Sequence, residues 1–117
     1  MNEPTKIKVG YRDIEIKWLY PDFKTEELID CFGQYKQREG LIEIQRDLYG
    51  QKMINTLLHE IGHVIADVGG LNQSGAPLEK DDDEEIVIHQ ITNYFLAICR
   101  DNPWFLDYIK DNMNKNA

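Results

Sequence analysis

The chain begins with a pattern in which apolar and charged residues alternate. Alternation of this kind places the apolar side chains on one face of a strand and the charged ones on the other. Residues 10–13 are either the turn between two such strands or the bend of a single long one. The apolar positions of the pattern are Ile7, Val9, Ile14, Ile16 and Trp18.

A second β unit is predicted further along, with strands at Gly33–Lys36 and Leu41–Gln45 and a turn near residues 38–40. Gly40 suits a hairpin position that requires a positive φ. Between the two β units, residues 25–29 add a short helix or a turn.

From about Gln51 the spacing of apolar residues changes to i, i+3 and i+4, which is the period of a helix that buries one face. This helix is predicted to end at Val68, because Gly69 and Gly70 follow it. The apolar positions that define its buried face are Ile54, Leu57, Leu58, Ile61, Val64, Ile65 and Val68.

Two more helices are predicted after a loop. The first begins in the acidic run at residues 81–83, because acidic side chains favour a helix N-terminus, and it ends near residues 101–102. Pro103 fits the first turn of a last short helix that reaches about residue 112. In the longer of the two, the side chains expected to face inward are Ile88, Ile91, Thr92, Phe95 and Ile98.

Strands followed by helices predict an α+β fold. The expected architecture is a small N-terminal antiparallel sheet followed by two long helices and a short C-terminal helix. A length of 117 residues favours a single domain over residues 1–117.

Charge and composition exclude several kinds of partner. The net charge of −8 argues against nucleic acid, because binding to phosphates depends on clustered Lys and Arg. No apolar run is long enough to span a membrane. The first residues carry neither the basic nor the apolar part of a signal peptide, so we expect a cytoplasmic location. The sequence does not indicate whether the protein is a monomer or an oligomer.

Candidate chemistry lies in the middle of the first predicted helix, in the segment His-Glu-Ile-Gly-His at residues 59–63. Residues four apart lie on one face of a helix, so His59 and His63 can both bind one zinc ion. Glu60 can reach a water molecule held by that ion and act as the general base. Between residues 53 and 66, Glu60 is the one acidic or basic side chain if the histidines are neutral. Burying its charge is costly unless an ion compensates for it.

Residues 56–65, Thr-Leu-Leu-His-Glu-Ile-Gly-His-Val-Ile, resemble the extended zincin signature. The wider pattern is similar to small phage and mobile-element metallopeptidases related to the ImmA/IrrE group. The similar features are Gly-x-Tyr at 33–35, a hairpin strand at 41–44, a Glu-led helix at 84–91 and Asp-Asn-Pro at 101–103. The resemblance covers roughly residues 33–110. It implies a zincin-like fold of the gluzincin type and a zinc-dependent endopeptidase.

The resemblance also implies a third metal ligand. The metzincin pattern is excluded, because Ala66 and Gly69 occupy the positions where it requires Gly and His. A glutamate on the following helix is implied instead, which leaves Glu84 and Glu85 as alternatives. Glu85 is preferred, since it shares a helix face with inward-pointing residues. His89, one turn after Glu85, is a possible neighbour or substitute ligand and is not included in the predicted ligand set.

Two functions are compatible with these residues. The first is a zinc peptidase that hydrolyses a specific intracellular protein, for which the resemblance suggests a phage- or element-encoded repressor. The second is a non-catalytic binding or regulatory module that uses zinc for stability, as small domains often do. A tyrosine often assists peptide hydrolysis, and Tyr35, Tyr49 and Tyr94 are the candidates.

Overall fold

The computed structural model describes residues 3–20 and 32–115, and in this part of the chain four strands are followed by three helices. The α+β class is therefore confirmed. The short helix or turn predicted at residues 25–29 lies outside the described residues. The elements are β1 (Lys6–Val9), β2 (Arg12–Leu19), β3 (Gly33–Lys36), β4 (Leu41–Gln45), α1 (Gly50–Val68), α2 (Asp81–Asp101) and α3 (Phe105–Met113).

Both predicted hairpins form. β1 pairs with β2 in antiparallel fashion, with Ile7 opposite Ile14, so the first alternating region is two strands rather than one bent strand. β3 pairs with β4 in the same way. Gly10 and Gly40 lie in the two turns with φ of 61° and 62°, a conformation that strongly favours glycine.

The sheet is mixed, so the prediction of a purely antiparallel sheet is wrong. The strand order is β1-β2-β4-β3, and β2 and β4 run parallel, with Ile16 opposite Ile42. This pairing joins the apolar faces of the two hairpins into one continuous apolar surface. Local alternation shows which residues form a strand, but the choice of neighbouring strand depends on how the two hairpins pack together.

The core lies between the sheet and α1. One face of β2 and β4 meets the apolar side of α1, and α1 also packs along β3. α2 packs against α1, and α3 contacts α2. The buried core side chains are Ile14, Ile16, Ile42, Ile44 and Val64.

The buried stripe on each long helix is narrower than predicted. In α2, Ile88 and Thr92 are buried, but Ile91 is 63% exposed and Ile98 is also exposed. In α1, Ile54 and Ile65 are exposed. α2 packs on α1 rather than on the sheet, so only a narrow strip of its surface is covered. Within residues 3–20 and 32–115, no helix has the length and apolar character needed to cross a bilayer.

Candidate metal centre

α1 carries three of the predicted site residues, and its packing decides which way they face. Its apolar side, which includes Ile61 and Val68, packs against the sheet core. His59 and His63 are four positions apart and lie together on another side of the helix. Their ring centroids are 4.9 Å apart, in an edge-on arrangement.

α2 approaches α1 closely where Gly62 faces Ile88. A Cβ atom at Gly62 would lie 2.6 Å from Ile88 Cγ2, whereas carbon atoms in contact are about 3.5–4.0 Å apart. The missing side chain therefore allows the two helices to come together at this point. Their close packing brings the first turn of α2 beside the two histidines.

Glu85, which directly follows the first turn of α2, reaches both histidines. Its Oε1 lies 2.6 Å from His59 Nε2, and its Oε2 lies 2.9 Å from His63 Nε2. The two Nε2 atoms are 3.2 Å apart. Ligand atoms of His59, His63 and Glu85 lie within 4.8 Å of one another, so this group can hold a metal ion.

Glu84, the alternative third ligand, contacts the other nitrogen of the His63 ring. Its Oε2 lies 2.5 Å from His63 Nδ1, and the two side chains are both largely buried. With an ion bound at Nε2, the proton of a neutral His63 ring would be on Nδ1, where it can donate a hydrogen bond to Glu84. Contacts of this kind are typical of histidines that bind metals.

The donor set fits a divalent transition-metal ion. Burial lowers the pKa of His59 by disfavouring the protonated ring, although the nearby Glu85 carboxylate opposes this shift. A neutral imidazole is the form that binds a metal. Two nitrogens at about 2.0–2.1 Å from a tetrahedral zinc ion would be about 3.3 Å apart. The separation of 3.2 Å is close to that value. Two imidazoles and a carboxylate suit zinc and other first-row ions.

Glu60 is buried beside this group, with 7% of its surface exposed. Gly33 of β3 lies next to it, and a Cβ atom at this position would lie 2.8 Å from Thr56 Cγ2, so glycine lets β3 approach α1 closely here. Burial raises the pKa of Glu60 to about 7, with Glu85 adding to the increase and His63 opposing it. A carboxyl group with such a pKa can both accept and release a proton near neutral pH.

Two clefts adjoin at the candidate metal centre. The larger has a volume of about 340 Å³ and lies on the side of Tyr35 and Asn72. The smaller, of about 280 Å³, lies on the side of Phe32 and Asn55. Because the two clefts share several lining residues, they form one groove that passes the site. The shared residues are Gly33, His59, Glu60 and Glu85.

Of the three candidate tyrosines, Tyr35 alone lines this groove. Its hydroxyl donates a hydrogen bond to Asp67 Oδ2 at 2.6 Å and accepts one from Arg12 at 3.0 Å. Burial and then the Asp67 carboxylate raise the pKa of Tyr35, so the hydroxyl keeps its proton. Tyr49 and Tyr94 are exposed and line neither cleft.

His89 lies near the centre but outside the group of converging donors. Its ring centroid is 6.2 Å from that of His59, and its Nε2 is 3.1 Å from Asn93 Nδ2.

Several residues that build the centre were not identified from the sequence. A glycine inside a helix costs about 0.5–1 kcal/mol relative to alanine, so Gly62 was a detectable signal of close packing. Gly33 carried no such signal, because it starts a strand after a loop. The ion pair between Arg12 and Asp67, 2.9 Å long, joins residues 55 positions apart and has no local signature.

Comparisons of this chain with protein-family models, with curated proteins and with solved structures find no match. The resemblance to the zincins therefore stays a prediction that rests on the chain's own residues.

The buried carboxyl of Glu60 is expected to make the stability of the metal-free protein depend on pH. Its folded-state pKa of about 7 exceeds the ordinary value of 4.5, so the folded state holds the proton more tightly. The free energy of unfolding should therefore fall as pH rises from about 4.5 to about 7, by on the order of 3 kcal/mol. Urea unfolding with a chelator present, for the wild type and Glu60→Gln, measures this difference. Parallel pH profiles for the two proteins would contradict the expectation.

Proposed function

We propose that this protein is a zinc-dependent peptidase that hydrolyses a peptide bond in a specific intracellular protein. The single observation that carries the proposal is the position of buried Glu60 beside the converging donors of His59, His63 and Glu85. A structural zinc site is normally closed by four protein ligands, whereas a catalytic one has three and an open position. The group of three donors here lines a groove, which is the arrangement expected of a catalytic site.

Each residue has a distinct role in this proposal. His59, His63 and Glu85 hold the ion, and Glu84 orients the His63 ring through Nδ1. The ion, when bound, would make water more acidic and polarise a carbonyl group. Glu60 would take the proton from the attacking water and pass it to the leaving amine, as a general base and then a general acid.

The groove also provides a place for an extended substrate. β3 is a terminal strand of the sheet as described, and its first residue, Gly33, lies next to Glu60. An extended peptide can add to a sheet as a further strand, held by main-chain hydrogen bonds. We propose that the substrate binds along β3, which would place a peptide bond beside Glu60.

Replacement of Glu60 by glutamine tests the proposal. The change keeps the shape of the side chain and all three donors but removes the base, so zinc content should stay at one ion per chain. Peptide cleavage should fall by about 10²–10⁴-fold, the usual contribution of a general base. Mass spectrometry of a digested peptide mixture measures cleavage, and elemental analysis measures zinc.

The matched control is Glu39→Gln, which removes an exposed carboxylate in the turn before β4 and should leave cleavage unchanged. Equal cleavage by wild type and Glu60→Gln, with zinc retained in both, would refute the role of Glu60. Zinc binding that raises the melting temperature, with no cleavage by wild type, would favour the stabilised binding module instead.

A further inference from the structure

The larger cleft has a pronounced acidic character. Every lining side chain with a formal charge at neutral pH, histidines aside, is a carboxylate: Glu60, Asp81, Glu84 and Glu85. Neither cleft is lined by Lys or Arg among the described residues. A cleft lined by one sign of charge attracts ligands of the opposite sign.

Two of these carboxylates already have partners at the centre, and a third is buried. Glu84 contacts His63, Glu85 contacts both histidines, and Glu60 is the buried one. Asp81 differs, because it is exposed and its side chain makes no hydrogen bond or ion pair with any residue in the described part of the chain. The N-terminus of α2 supplies only about half a positive charge, which Asp82 and Asp83 share with it. A divalent ion at the centre would offset the charges of Glu84 and Glu85, which leaves Asp81 as the carboxylate of the larger cleft that no positive charge compensates.

The smaller cleft is different in character. Besides the residues that both clefts share, its lining is neutral and consists of Phe32, Asn55 and Thr56. A polypeptide lying along the groove would thus meet an acidic environment on one side of the centre and a neutral one on the other.

We propose that this groove binds an extended polypeptide segment with Lys or Arg on the side of the metal centre where Asp81 lies, and uncharged residues on the other side. The inference rests on the proposed peptidase function, since it takes the groove to be the substrate site. Asp81 acts as the residue that determines specificity, through attraction between its unpaired carboxylate and the cationic side chain.

The test measures binding rather than cleavage. Zinc-loaded Glu60→Gln protein, in which bound peptides stay intact, is titrated into short fluorescein-labelled peptides that differ only at one end, where they carry Lys, Ser or Glu. Fluorescence anisotropy should show the Lys peptide binding at least about 10-fold more tightly than the Glu peptide at about 50 mM salt, and this ratio should shrink at about 500 mM.

Asp81→Asn should weaken binding of the Lys peptide by about 2–5-fold and leave the Ser peptide unaffected. Asp111→Asn, a change of equal charge on α3 away from the groove, is the matched control and should change neither. Equal effects of both substitutions, equal binding of the Lys and Glu peptides, or no binding of any peptide would overturn the inference. This binding assay does not depend on cleavage. If Glu60→Gln bound the Lys peptide selectively but the wild type cleaved no peptide, the peptidase proposal would be wrong and the binding inference would stand.

Discussion

Replacement of His63 by alanine is expected to abolish metal binding. The substitution removes one of two imidazole donors and leaves the Glu84 carboxylate without the ring nitrogen that it contacts at 2.5 Å. Removing the partner of a metal ligand typically lowers affinity by about 10–100-fold, so loss of the ligand itself should exceed that range. Competition with a chromophoric chelator, together with elemental analysis, measures the affinity and the stoichiometry.

Two further variants test residues that lie near the three donors but do not belong to the group. Glu84→Gln keeps the ligand but replaces the carboxylate at His63 Nδ1 with an amide, and should weaken binding by about 10–100-fold. His89→Ala removes another histidine of the same region, which lies outside the converging donors, and should leave the affinity unchanged. If His63→Ala retained one ion per chain at wild-type affinity, the assignment of the centre would be wrong.

Replacement of Gly62 by alanine is expected to destabilise the protein and disturb the centre. The new Cβ would lie 2.6 Å from Ile88 Cγ2, so either the Ile88 side chain or α2 itself must move. Forcing an extra carbon into a packed contact costs about 1–3 kcal/mol. The sign of this effect is diagnostic, because alanine in place of glycine within a helix ordinarily stabilises by about 0.5–1 kcal/mol. Chemical unfolding and the zinc affinity of the same variant are the measurements.

A double-mutant cycle identifies the cause. Ile88→Ala removes the Cγ2 and Cδ1 atoms that the new methyl group would meet. Combined with Gly62→Ala it should restore much of the zinc affinity, giving a favourable interaction energy between the two positions. If Gly62→Ala alone were more stable than wild type and bound zinc normally, close helix packing would not be what positions Glu85.

Within residues 3–20 and 32–115, the bounds of the helices and strands could be predicted from the sequence to within one or two residues. Alternation, turn glycines and the change to helical spacing at residue 51 are local signals, and local backbone preferences decide them. α2 was predicted to begin in the acidic run at residues 81–83, and it begins at Asp81. The predictions of inward-facing Ile91 and Ile98 were wrong, because a hydrophobic residue at the right period is buried only where another element covers it.

In the candidate metal centre too, some features follow from local spacing and others depend on how the helices pack. A spacing of four residues on one helix is sufficient to place His59 and His63 together, and Glu60 beside them. The choice between Glu84 and Glu85 depends on how α2 rotates and how closely it approaches, which adjacent residues of one helix cannot reveal. Both glutamates contact the histidines, but Glu85 reaches the two Nε2 atoms and Glu84 reaches Nδ1.

The sequence by itself determined the α+β class, the bounds of the helices and strands, and the helical segment His59 to His63, because each depends on residues within a few positions of one another. Only the tertiary structure decided the parallel pairing of β2 with β4, the different histidine nitrogens that Glu84 and Glu85 contact, and the burial of Glu60 beside Gly33. These features join residues distant in the chain, and the packing of apolar faces, rather than any local preference, brings them together.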